Sequence, residues 1–544
     1  MLGEITDLSQ FINRGFGFIT DENGSRRFFH VTNIEGSTDL ALGDEVMFEP
    51  YLSQHKLAAT SVRLIPDIAS VKVLTQISLW KREAKLEDME RFFYKTREVD
   101  LLETGNKCYV LGRKGTGKTA IADHMLSLSR YDLFSKKLSF KNFPINDLYT
   151  LRNERFGDPN QYITLWKYLI YSSIAQLMID NESIDITLRK ELSRIYNPSL
   201  QKSLSNNLTE WTGAKFGLSF FGSGTNLEAT RTPINSESSW IDKVDALERM
   251  LLKNLDNSTY RILFDELDEG YANIRVPERL DDYFNLLTGL FKAVQDVLSI
   301  FKDKRFNVRP LIFLREDIYQ KFQDSDKAKW EDLVIRLTWN ESKVKSMLAH
   351  RISRSIDPYG PILSFEQSWN AIFAPRPVLR RGADPQSSFN YLNKAILKRP
   401  RDYIVSLLES ANCALDLDEK RITPQAIRNS QKEISSYLVE DIIDEMSASL
   451  TEAREVLHCL SMLGKPHFRY EDFEAEYNKC YEEGLIKEKR NPKLVLRILY
   501  EHSVVGNILT NNRVLFRHND RSATCSFSKI FTVLYGLCSA LNLY

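Results

Sequence analysis

Short runs in which apolar and polar residues alternate fill residues 1 to about 65, and Asn, Gly and Asp residues break these runs. Alternation with a period of two is typical of strands that bury one face, so the pattern predicts a small β-barrel. Two of the runs, Gly15–Thr20 (GFGFIT) and Arg26–Val31 (RRFFHV), are separated by a turn at Glu22–Gly24. Pairing of these two strands is expected to bring their aromatic side chains together on one face.

The middle of the chain has apolar runs of the length expected for buried strands, at Cys108–Leu111, Tyr260–Phe264 and Pro310–Leu314. Beyond residue 315 the apolar residues recur at helical spacing, as in Trp339–Ile352. Buried strands that alternate with helices predict an α/β domain with a parallel sheet, and a helical region is expected to follow it.

From about Thr451 the pattern predicts helices around a turn at Gly464–Pro466, and then a β-hairpin within Asn507–His518. The last stretch, Phe531–Leu543, is mostly apolar and is predicted to be a packed helix. This order resembles a winged helix. Winged helices bind duplex DNA or serve as rigid contacts between domains or subunits.

Two further segments have a pattern without an assigned role. Residues 66–103 are charged and helical in pattern, including Trp80–Glu90, and we expect a linker helix with a solvated face. Trp211–Gly224 is rich in glycine, and its apolar alternation favours a hairpin over a mobile loop.

A chain of 544 residues is too long for one hydrophobic core. The predicted fold class is multidomain: a small all-β barrel, an α/β domain with a parallel sheet, a helical lid, and a winged-helix-like α+β domain. The predicted domains are residues 1–65 (barrel), 66–330 (α/β core with an inserted segment at about 190–240), 331–445 (lid) and 446–544 (winged-helix-like).

Composition limits the picture only a little. Lys plus Arg and Asp plus Glu both total 73, so any affinity for nucleic acid has to come from a local patch. The six cysteines have no metal-ligand spacing and are predicted to be reduced. We expect a cytoplasmic protein without a membrane partner, because no signal peptide is evident and no uninterrupted apolar stretch approaches membrane-spanning length.

The sequence Gly112–Thr119 (GRKGTGKT) follows one predicted strand and precedes a predicted helix, Ala120–Met125. A glycine-rich loop between a strand and a helix is the signature of a phosphate-binding P-loop. Its glycines let backbone N–H groups surround phosphate oxygens, the lysine reaches the β- and γ-phosphates, and the final hydroxyl ligates Mg²⁺. The predicted nucleotide contacts of the loop are Gly112, Arg113, Lys114, Gly115, Thr116, Gly117, Lys118, Thr119 and Ala120.

Acidic residues end the second predicted strand. Asp265 is expected to hold Mg²⁺ and Glu266 to polarise the attacking water, with Asp268 and Glu269 as nearby alternatives. The third strand ends at Arg315, which suits either a sensor of the γ-phosphate or an ion pair with Asp265 or Glu266. The catalytic candidates are therefore Lys118, Glu266 and Arg315, and the metal candidates are Thr119 and Asp265.

In the N-terminal barrel, paired strands place Phe16, Phe18, Phe28 and His30 on one predicted stacking platform, beside basic residues. Aromatic side chains next to basic ones hold the unpaired bases of single-stranded nucleic acid. The segment resembles a cold-shock domain, an oligonucleotide-binding barrel, through its GFGFIT and FFH strands. It departs from that family in lacking a Lys-Trp-Phe triplet in the first strand and in having Val31 at a position where an aromatic residue is common. The alternative is a barrel that docks proteins.

The order of P-loop, acidic strand, strand ending in arginine and helical region with Lys398–Ile404 (KRPRDYI) resembles ATPases of the AAA and STAND type. More closely, residues 70–544 are similar to a bacterial family of P-loop ATPases that are often carried in mobile or defence-associated gene sets. The resemblance implies ATP as the nucleotide, and it implies that Arg399 or Arg401 contacts that nucleotide. A helix-capping ion pair is the alternative for each arginine.

We hypothesise an ATP-hydrolysing switch that binds single-stranded RNA or DNA through the barrel and signals to a separate effector protein, in antiviral defence as the family resemblance implies. A homo-oligomer is expected. One alternative is an ATP-dependent nucleic-acid remodeller or initiator-like loader. Another is a scaffold that binds ATP without hydrolysing it.

Overall fold

The structure is a computed structural model. It describes residues 1–35, 40, 42, 44–53, 56–64, 71–140, 160–196, 240–268, 271, 277–374, 377–380, 383–447, 449–511 and 513–543. The chain forms two compact units, each assembled from three segments. The first unit contains Met1–Trp80, Lys345–Tyr391 and Ser406–Gln431, and the second contains Lys81–Val344, Leu392–Val405 and Lys432–Tyr544.

The N-terminal segment is a closed five-stranded barrel with the strand order β1-β2-β3-β5-β4. Its elements are β1 (Leu2–Asp7), α1 (Phe11–Arg14), β2 (Phe16–Asp21), β3 (Arg26–His30), β4 (Glu45–Ser53) and β5 (Lys56–Leu64). Alternate residues of these strands fill the interior, among them Ile5, Ile19, Phe29, Val46 and Phe48. The predicted β-barrel is therefore confirmed, and its cause is the period-two pattern that buries one face of each strand.

The segment after the barrel is broken into short helices: α2 (Val71–Ser78), α3 (Met89–Phe92) and α4 (Arg97–Glu103). The predicted continuous helix across Trp80–Glu90 is wrong. A single 3₁₀ turn, Ala84–Leu86, lies there, and the Asp88 side chain accepts a hydrogen bond from the backbone N–H of Arg91 at 3.2 Å. This N-cap starts a new helix at Met89 in place of a continued one.

The central element of the second unit is a five-stranded sheet with the order β10-β6-β9-β8-β7, in which all neighbouring strands are parallel. Its strands and the helices between them are β6 (Tyr109–Gly112), α5 (Lys118–Ser127), β7 (Leu133–Ser139), α6 (Ile163–Asp180), α7 (Ile186–Tyr196), α8 (Trp240–Asn254), β8 (Thr259–Asp265), α9 (Pro277–Asp303), β9 (Asn307–Arg315), α10 (Glu316–Gln320), α11 (Lys327–Trp330) and β10 (Val334–Arg336). Every residue of β6 and β8 is buried, as expected for strands covered on both faces.

Helix α9 packs in the core of this α/β region, where Leu290, Phe291 and Val294 are fully buried. By length and composition alone, its stretch Arg279–Asp303 is also sufficient to cross a membrane. Core helices of soluble proteins pass the same test, and 56% of the most apolar part of this helix is buried inside the protein. Lys292 and Asp296 interrupt the apolar part of this helix, so the expectation that no uninterrupted apolar stretch approaches membrane-spanning length stays a prediction.

The helical region predicted after residue 315 is confirmed. It contains α12 (Glu341–Ile356), α13 (Phe365–Ile372), β11 (Val378–Arg380), β12 (Ala383–Gln386), α14 (Ser388–Ala395), α15 (Pro400–Asp416), α16 (Pro424–Asn429) and α17 (Gln431–Met446). Several of these helices start at residues that favour initiation. Ser364 and Gln367 form a capping box before α13, and α15 begins at Pro400, where a missing N–H costs nothing.

The C-terminal segment combines three helices with a four-stranded sheet of order β13-β16-β14-β15. Its elements are α18 (Ala453–Met462), β13 (His467–Phe468), α19 (Tyr470–Glu482), α20 (Pro492–Glu501), β14 (Val505–Ile508), β15 (Val514–Leu515) and β16 (Phe531–Val533). Strands β14 and β15 pair antiparallel, which confirms the predicted hairpin. The predicted final helix is wrong, because Phe531–Val533 pairs with β13 and β14 and buries all three side chains as a strand.

One cysteine pair differs from the expectation of reduced thiols. Cys459 on α18 and Cys480 on α19 form a disulfide, with their Cα atoms 6.3 Å apart. That separation lies within the range that a disulfide bridges. The pair is 21 residues apart in sequence, and only the packing of α18 against α19 brings the two residues together.

The predicted fold class is confirmed: a small barrel, a parallel-sheet α/β region and helical and α+β regions toward the C-terminus. The predicted domain boundaries and the winged-helix assignment stay predictions. Residues 197–239, which contain the glycine-rich segment 211–224 and most of the predicted insertion at 190–240, lie outside the described residues.

Candidate functional site

The phosphate-loop candidate lies between β6 and α5, as the sequence predicts. Gly115 and Gly117 have φ angles of 79° and 100°, a left-handed conformation that side-chain-bearing residues rarely adopt. Helix α5 begins at Lys118, directly after Gly117. The first N–H groups of a helix have no partner within it, so this loop offers backbone donors to an anion together with the positive end of the helix dipole.

Lys118 is a half-buried lysine at the start of this helix. Its Nζ donates hydrogen bonds to the backbone oxygens of Gly112 at 3.0 Å and Arg113 at 3.1 Å. Among the described residues, no carboxylate oxygen lies within the 4.0 Å of an ion pair with it. Burial lowers the pKa of Lys118, although Asp268 opposes that shift from a longer distance. An anionic ligand is the partner that this arrangement fits.

The two acidic residues that end β8 have different environments. Asp265 is buried, and its Oδ2 lies 3.0 Å from Nζ of Lys137, which also contacts Oδ1 of Asp123 at 2.6 Å. Burial raises the pKa of Asp265, while Lys137 opposes the shift. A buried carboxylate of this kind is stabilised by a cation, so Asp265 fits the predicted role of holding Mg²⁺. Thr119 lies in the first turn of α5, where the sequence places the other metal candidate.

Glu266 follows Asp265 with a φ angle of 60°, which is uncommon for a residue other than glycine and costs on the order of 1–3 kcal/mol. Both of its carboxylate oxygens have partners. Oε1 lies 2.6 Å from Nζ of Lys85, and Oε2 accepts a hydrogen bond from the Ser139 hydroxyl. Burial alone raises the pKa of Glu266, but the contacts with Lys85 and Ser139 outweigh burial and leave the pKa below its ordinary value.

Arg315 ends β9, the strand between β6 and β8, and pairs in register with Gly112 of the phosphate loop. In the structure, Arg315 forms ion pairs with acidic residues other than Asp265 and Glu266. Nη2 of Arg315 lies 2.8 Å from Oδ2 of Asp317, and Nε lies 3.9 Å from Oδ2 of Asp268. The alternative of an ion pair with Asp265 or Glu266 is wrong, because Asp317 follows within the same turn. Its sensor role stays a prediction.

Arg399 and Arg401 lie against the phosphate loop. Nη1 of Arg399 donates to the backbone oxygen of Lys114 at 3.2 Å, and the backbone N–H of Arg401 lies 3.5 Å from the oxygen of Gly115. Arg399 also forms the ion pair expected at the start of a helix, with Nη2 2.8 Å from Oδ1 of Asp402. The structure thus brings both arginines to the loop, and their contact with a nucleotide stays a prediction.

Acidic residues of α17 contact the side chains of the same loop and also form ion pairs with Arg399. Nζ of Lys114 lies 3.1 Å from Oδ1 of Asp441, and Nε of Arg113 lies 3.2 Å from Oε1 of Glu445. Sequence patterns did not identify Asp441 or Glu445, since nothing local distinguishes them from other acids on a helix.

The predicted aromatic platform is assembled on the barrel. Phe16 pairs with His30 and Phe18 pairs with Phe28 across β2 and β3, and all four side chains are half-buried. The ring centroids of Phe16 and Phe28 are 5.4 Å apart, and those of Phe18 and Phe28 are 6.0 Å apart. The guanidinium carbon of Arg26 lies 4.0 Å from the centroid of the Phe18 ring. The sequence therefore identified this group correctly as one surface.

This face carries a further aromatic residue that the sequence pattern does not reveal. Tyr51 of β4 pairs with Ala58 of β5, and Ala58 pairs with Phe28 of β3. Directly paired residues point to the same face of a sheet, so Tyr51 lies on the outer face that carries Phe28. It is exposed at 39%. The signal was weak, because a single tyrosine in a nine-residue strand does not reveal its face before the register is known.

Comparisons with known proteins cover parts of the chain. Residues 9–65 match the model of the 'cold-shock' DNA-binding domain, which confirms the predicted resemblance of the barrel. Residues 342–443 match the model of the FunZ-associated C-terminal helical domain. A protein of 80.3 kDa from Escherichia coli (strain K12), named after transposon gamma-delta, is 23% identical in a match 483 residues long that covers 81% of this chain and 63% of that protein. The chain therefore spans less than two thirds of this relative.

Two solved structures from Aeropyrum pernix are also similar to the chain. The ORC2 protein in its ADPNP–ADP complexes is 12% identical with a TM-score of 0.39, and the match covers 82% of this chain and 89% of that one. The ORC1 protein in complex with DNA is 14% identical with a TM-score of 0.35, and the match covers 85% and 96%. Similarity at this level carries no argument about what this chain binds.

Proposed function

We propose that the protein is an ATP-hydrolysing switch that responds to single-stranded nucleic acid. The observation that carries the ATPase part is Lys118, a cation at the start of α5 that contacts backbone oxygens and, in the part of the chain that the structure describes, no carboxylate. A triphosphate supplies the negative charge that this lysine, the left-handed glycines and the helix start fit together. ATP is the nucleotide that the family resemblance favours.

In this proposal each residue of the site has a separate role in ATP hydrolysis. Lys118 holds the β- and γ-phosphates, and Thr119 with Asp265 holds Mg²⁺, which when bound offsets charge on the transferred phosphate. Glu266 orients the attacking water and withdraws its proton. Arg315 senses the terminal phosphate from the strand between the loop and the acids. Arg399 and Arg401 contact the nucleotide from the side of the lid.

The nucleic-acid part of the proposal is supported by the platform of Phe16, Phe18, Phe28 and His30 beside Arg26. Half-buried aromatic side chains next to a guanidinium suit stacking with unpaired bases. The match of residues 9–65 to a DNA-binding domain supports the same role. We further propose a cytoplasmic homo-oligomer that signals to a separate effector protein. Its place in antiviral defence rests on family resemblance.

The ATPase proposal is tested by measuring Mg²⁺-dependent binding of a fluorescent ATP analogue and release of phosphate. Lys118→Ala is expected to abolish nucleotide binding. Lys107→Ala is the matched control, because Lys107 lies just before β6, the strand that leads into the phosphate loop, and its Nζ donates to the backbone oxygen of Asp332. Glu266→Gln is expected to keep binding and to lower hydrolysis by about 10²- to 10⁴-fold. Absence of nucleotide binding by the unaltered protein would overturn the proposal.

The switch is tested by adding single-stranded RNA, single-stranded DNA or duplex to the hydrolysis assay. We expect a single-stranded polymer to stimulate the rate, and we expect Phe16→Ala combined with Phe18→Ala to remove that stimulation. Equal stimulation of the double variant would exclude the barrel as the sensor.

A second candidate function is an initiator-like remodeller that also binds duplex DNA through its C-terminal segment. It is favoured by the strand order there, in which β16 lies between β13 and β14 and follows helices α19 and α20. This order is compatible with the predicted winged helix. ATP-dependent strand separation of a labelled duplex would support the remodeller, whereas stimulated hydrolysis without strand separation would support the switch.

A further inference from the structure

The carboxylate proposed as the general base of hydrolysis is held by two side chains on opposite oxygens. Nζ of Lys85 contacts Oε1 of Glu266 at 2.6 Å, and the hydroxyl of Ser139 contacts Oε2. The Glu266 side chain is only 14% exposed, so water reaches it poorly while these contacts persist. Each of these contacts also fixes the direction in which one carboxylate oxygen points, so Glu266 is not free to turn toward an attacking water.

We propose that Lys85 is an inhibitory positioning residue: its ammonium group holds Glu266 away from the attacking water until the segment that carries Lys85 moves. This inference rests on the proposed ATPase function and adds the control of its base. Lys85 does not act on the nucleotide itself. It acts through Glu266.

The location of Lys85 suits a releasable contact. Lys85 lies in the single 3₁₀ turn Ala84–Leu86, which packs against α5, the helix that begins at Lys118. The turn is closed by backbone hydrogen bonds from Leu86 to Glu83 and from Glu87 to Ala84, both of 3.1 Å. Asp265 and Ser139, by contrast, belong to paired strands of the central sheet. Moving a single turn disrupts fewer hydrogen bonds and packing contacts than moving a strand out of the sheet, so its free energy of local opening is lower.

The chain connection indicates what moves the turn. Trp80 is the last residue of the segment that begins with the barrel, and Lys85 follows only five residues later. Along the chain, Lys85 is therefore closer to the barrel segment than any strand of the sheet is, since β6 begins only at Tyr109. We infer that single-stranded nucleic acid bound to the barrel withdraws Lys85 and frees Glu266.

The experiment compares full-length variants in steady-state hydrolysis of Mg·ATP, with and without single-stranded RNA. In the absence of RNA, Lys85→Met is expected to raise kcat by about tenfold and to leave KM unchanged. The expected gain is smaller than the full contribution of a general base to the rate. Lys85→Arg, which keeps the charge, is expected to raise kcat less than Lys85→Met does. RNA is expected to stimulate Lys85→Met less than it stimulates the unaltered protein.

Lys95→Met is the matched control, since Lys95 lies in the same segment and pairs with Asp100 at 2.9 Å and Glu103 at 3.0 Å, away from Glu266. It is expected to leave kcat unchanged. The gain in Lys85→Met must also disappear when Glu266→Gln is added, because the lysine acts through that carboxylate.

A kcat in Lys85→Met equal to or below that of the unaltered protein overturns the inference, and a change in KM alone does the same. Failure of the proposed function is distinguishable from either result. If no variant binds Mg·ATP, the ATPase proposal fails. If binding and Glu266-dependent hydrolysis persist while Lys85→Met shows no gain, only the role of Lys85 fails.

Discussion

Arg113 in the phosphate loop and Glu445 on α17 form an ion pair, with Nε of Arg113 3.2 Å from Oε1 of Glu445, although 332 residues separate them in sequence. Glu445 is nearly fully buried, and its Oε2 lies 3.3 Å from Nη1 of Arg399. Its backbone oxygen accepts a hydrogen bond from Arg315 at 3.1 Å. One helical residue therefore binds three arginines that the sequence analysis assigned to the nucleotide site.

Glu445→Gln is expected to weaken the attachment of α17 to the loop. The substitution removes the charge that compensates Arg113 and Arg399, and loss of one partner from a buried ion pair costs about 3–5 kcal/mol. Amide hydrogen exchange within α17 measures this cost as a lower local free energy of opening. Glu440→Gln is the control on the same helix, because its pair with Arg454 is exposed and is expected to contribute less than about 1 kcal/mol. Equal exchange in both variants would contradict the prediction.

Glu445 is also expected to make the local stability of α17 depend on pH. Burial alone raises the pKa of Glu445, but Arg113 and Arg399 outweigh it, and the pKa in the folded protein lies below the ordinary value. Because the pKa of Glu445 is lower in the folded than in the unfolded protein, its ionised carboxylate stabilises the folded state. This stabilisation is fully present above the unfolded-state pKa of about 4.3 and is lost as the pH falls toward the folded-state pKa. Protection of α17 amides is therefore expected to decrease below about pH 4.3. Glu445→Gln should lack this part of the decrease, and identical pH profiles would count against the assignment.

Phe18→Ala is expected to weaken binding of a single-stranded oligonucleotide by about 1–3 kcal/mol. The substitution removes one aromatic ring of the stacking platform, and this ring also contacts the guanidinium group of Arg26. Fluorescence anisotropy with a labelled oligonucleotide at fixed salt measures the change. Tyr131→Ala is a suitable control, since Tyr131 is an almost fully exposed aromatic outside the barrel. An unchanged dissociation constant for Phe18→Ala would show that bases do not stack on this ring.

Tyr51→Ala is expected to lower the affinity for a long oligonucleotide by about 1 kcal/mol, as its ring extends the platform beyond Phe28. A short oligonucleotide that reaches only the Phe18 and Phe28 region should lose little. Leu52→Ala is the neighbouring control, because successive residues of a strand point to opposite faces. If Leu52→Ala and Tyr51→Ala have the same effect, the platform does not include Tyr51.

The elements that the sequence predicted correctly depend on neighbours in the chain. The barrel strands follow from alternation with a period of two, and the loop of Gly112–Thr119 follows from its glycines and the helix after it. The errors arose where distant residues compete with local preference. Phe531–Val533 has an apolar helical pattern, but β13 and β14 offer it backbone partners, and Cys459 meets Cys480 only because two helices pack.

The sequence by itself determined the chemistry that is available: a loop able to bind phosphate, two acids at a strand end, and aromatic residues spaced to share a strand face. Only the tertiary structure decided which groups control that chemistry. Lys85 contacts Glu266 across 181 residues, and Glu445 meets Arg113 across 332 residues. The reason is physical, since local hydrogen bonding and periodicity act over a few residues, whereas ion pairs form wherever packing brings opposite charges within about 4 Å.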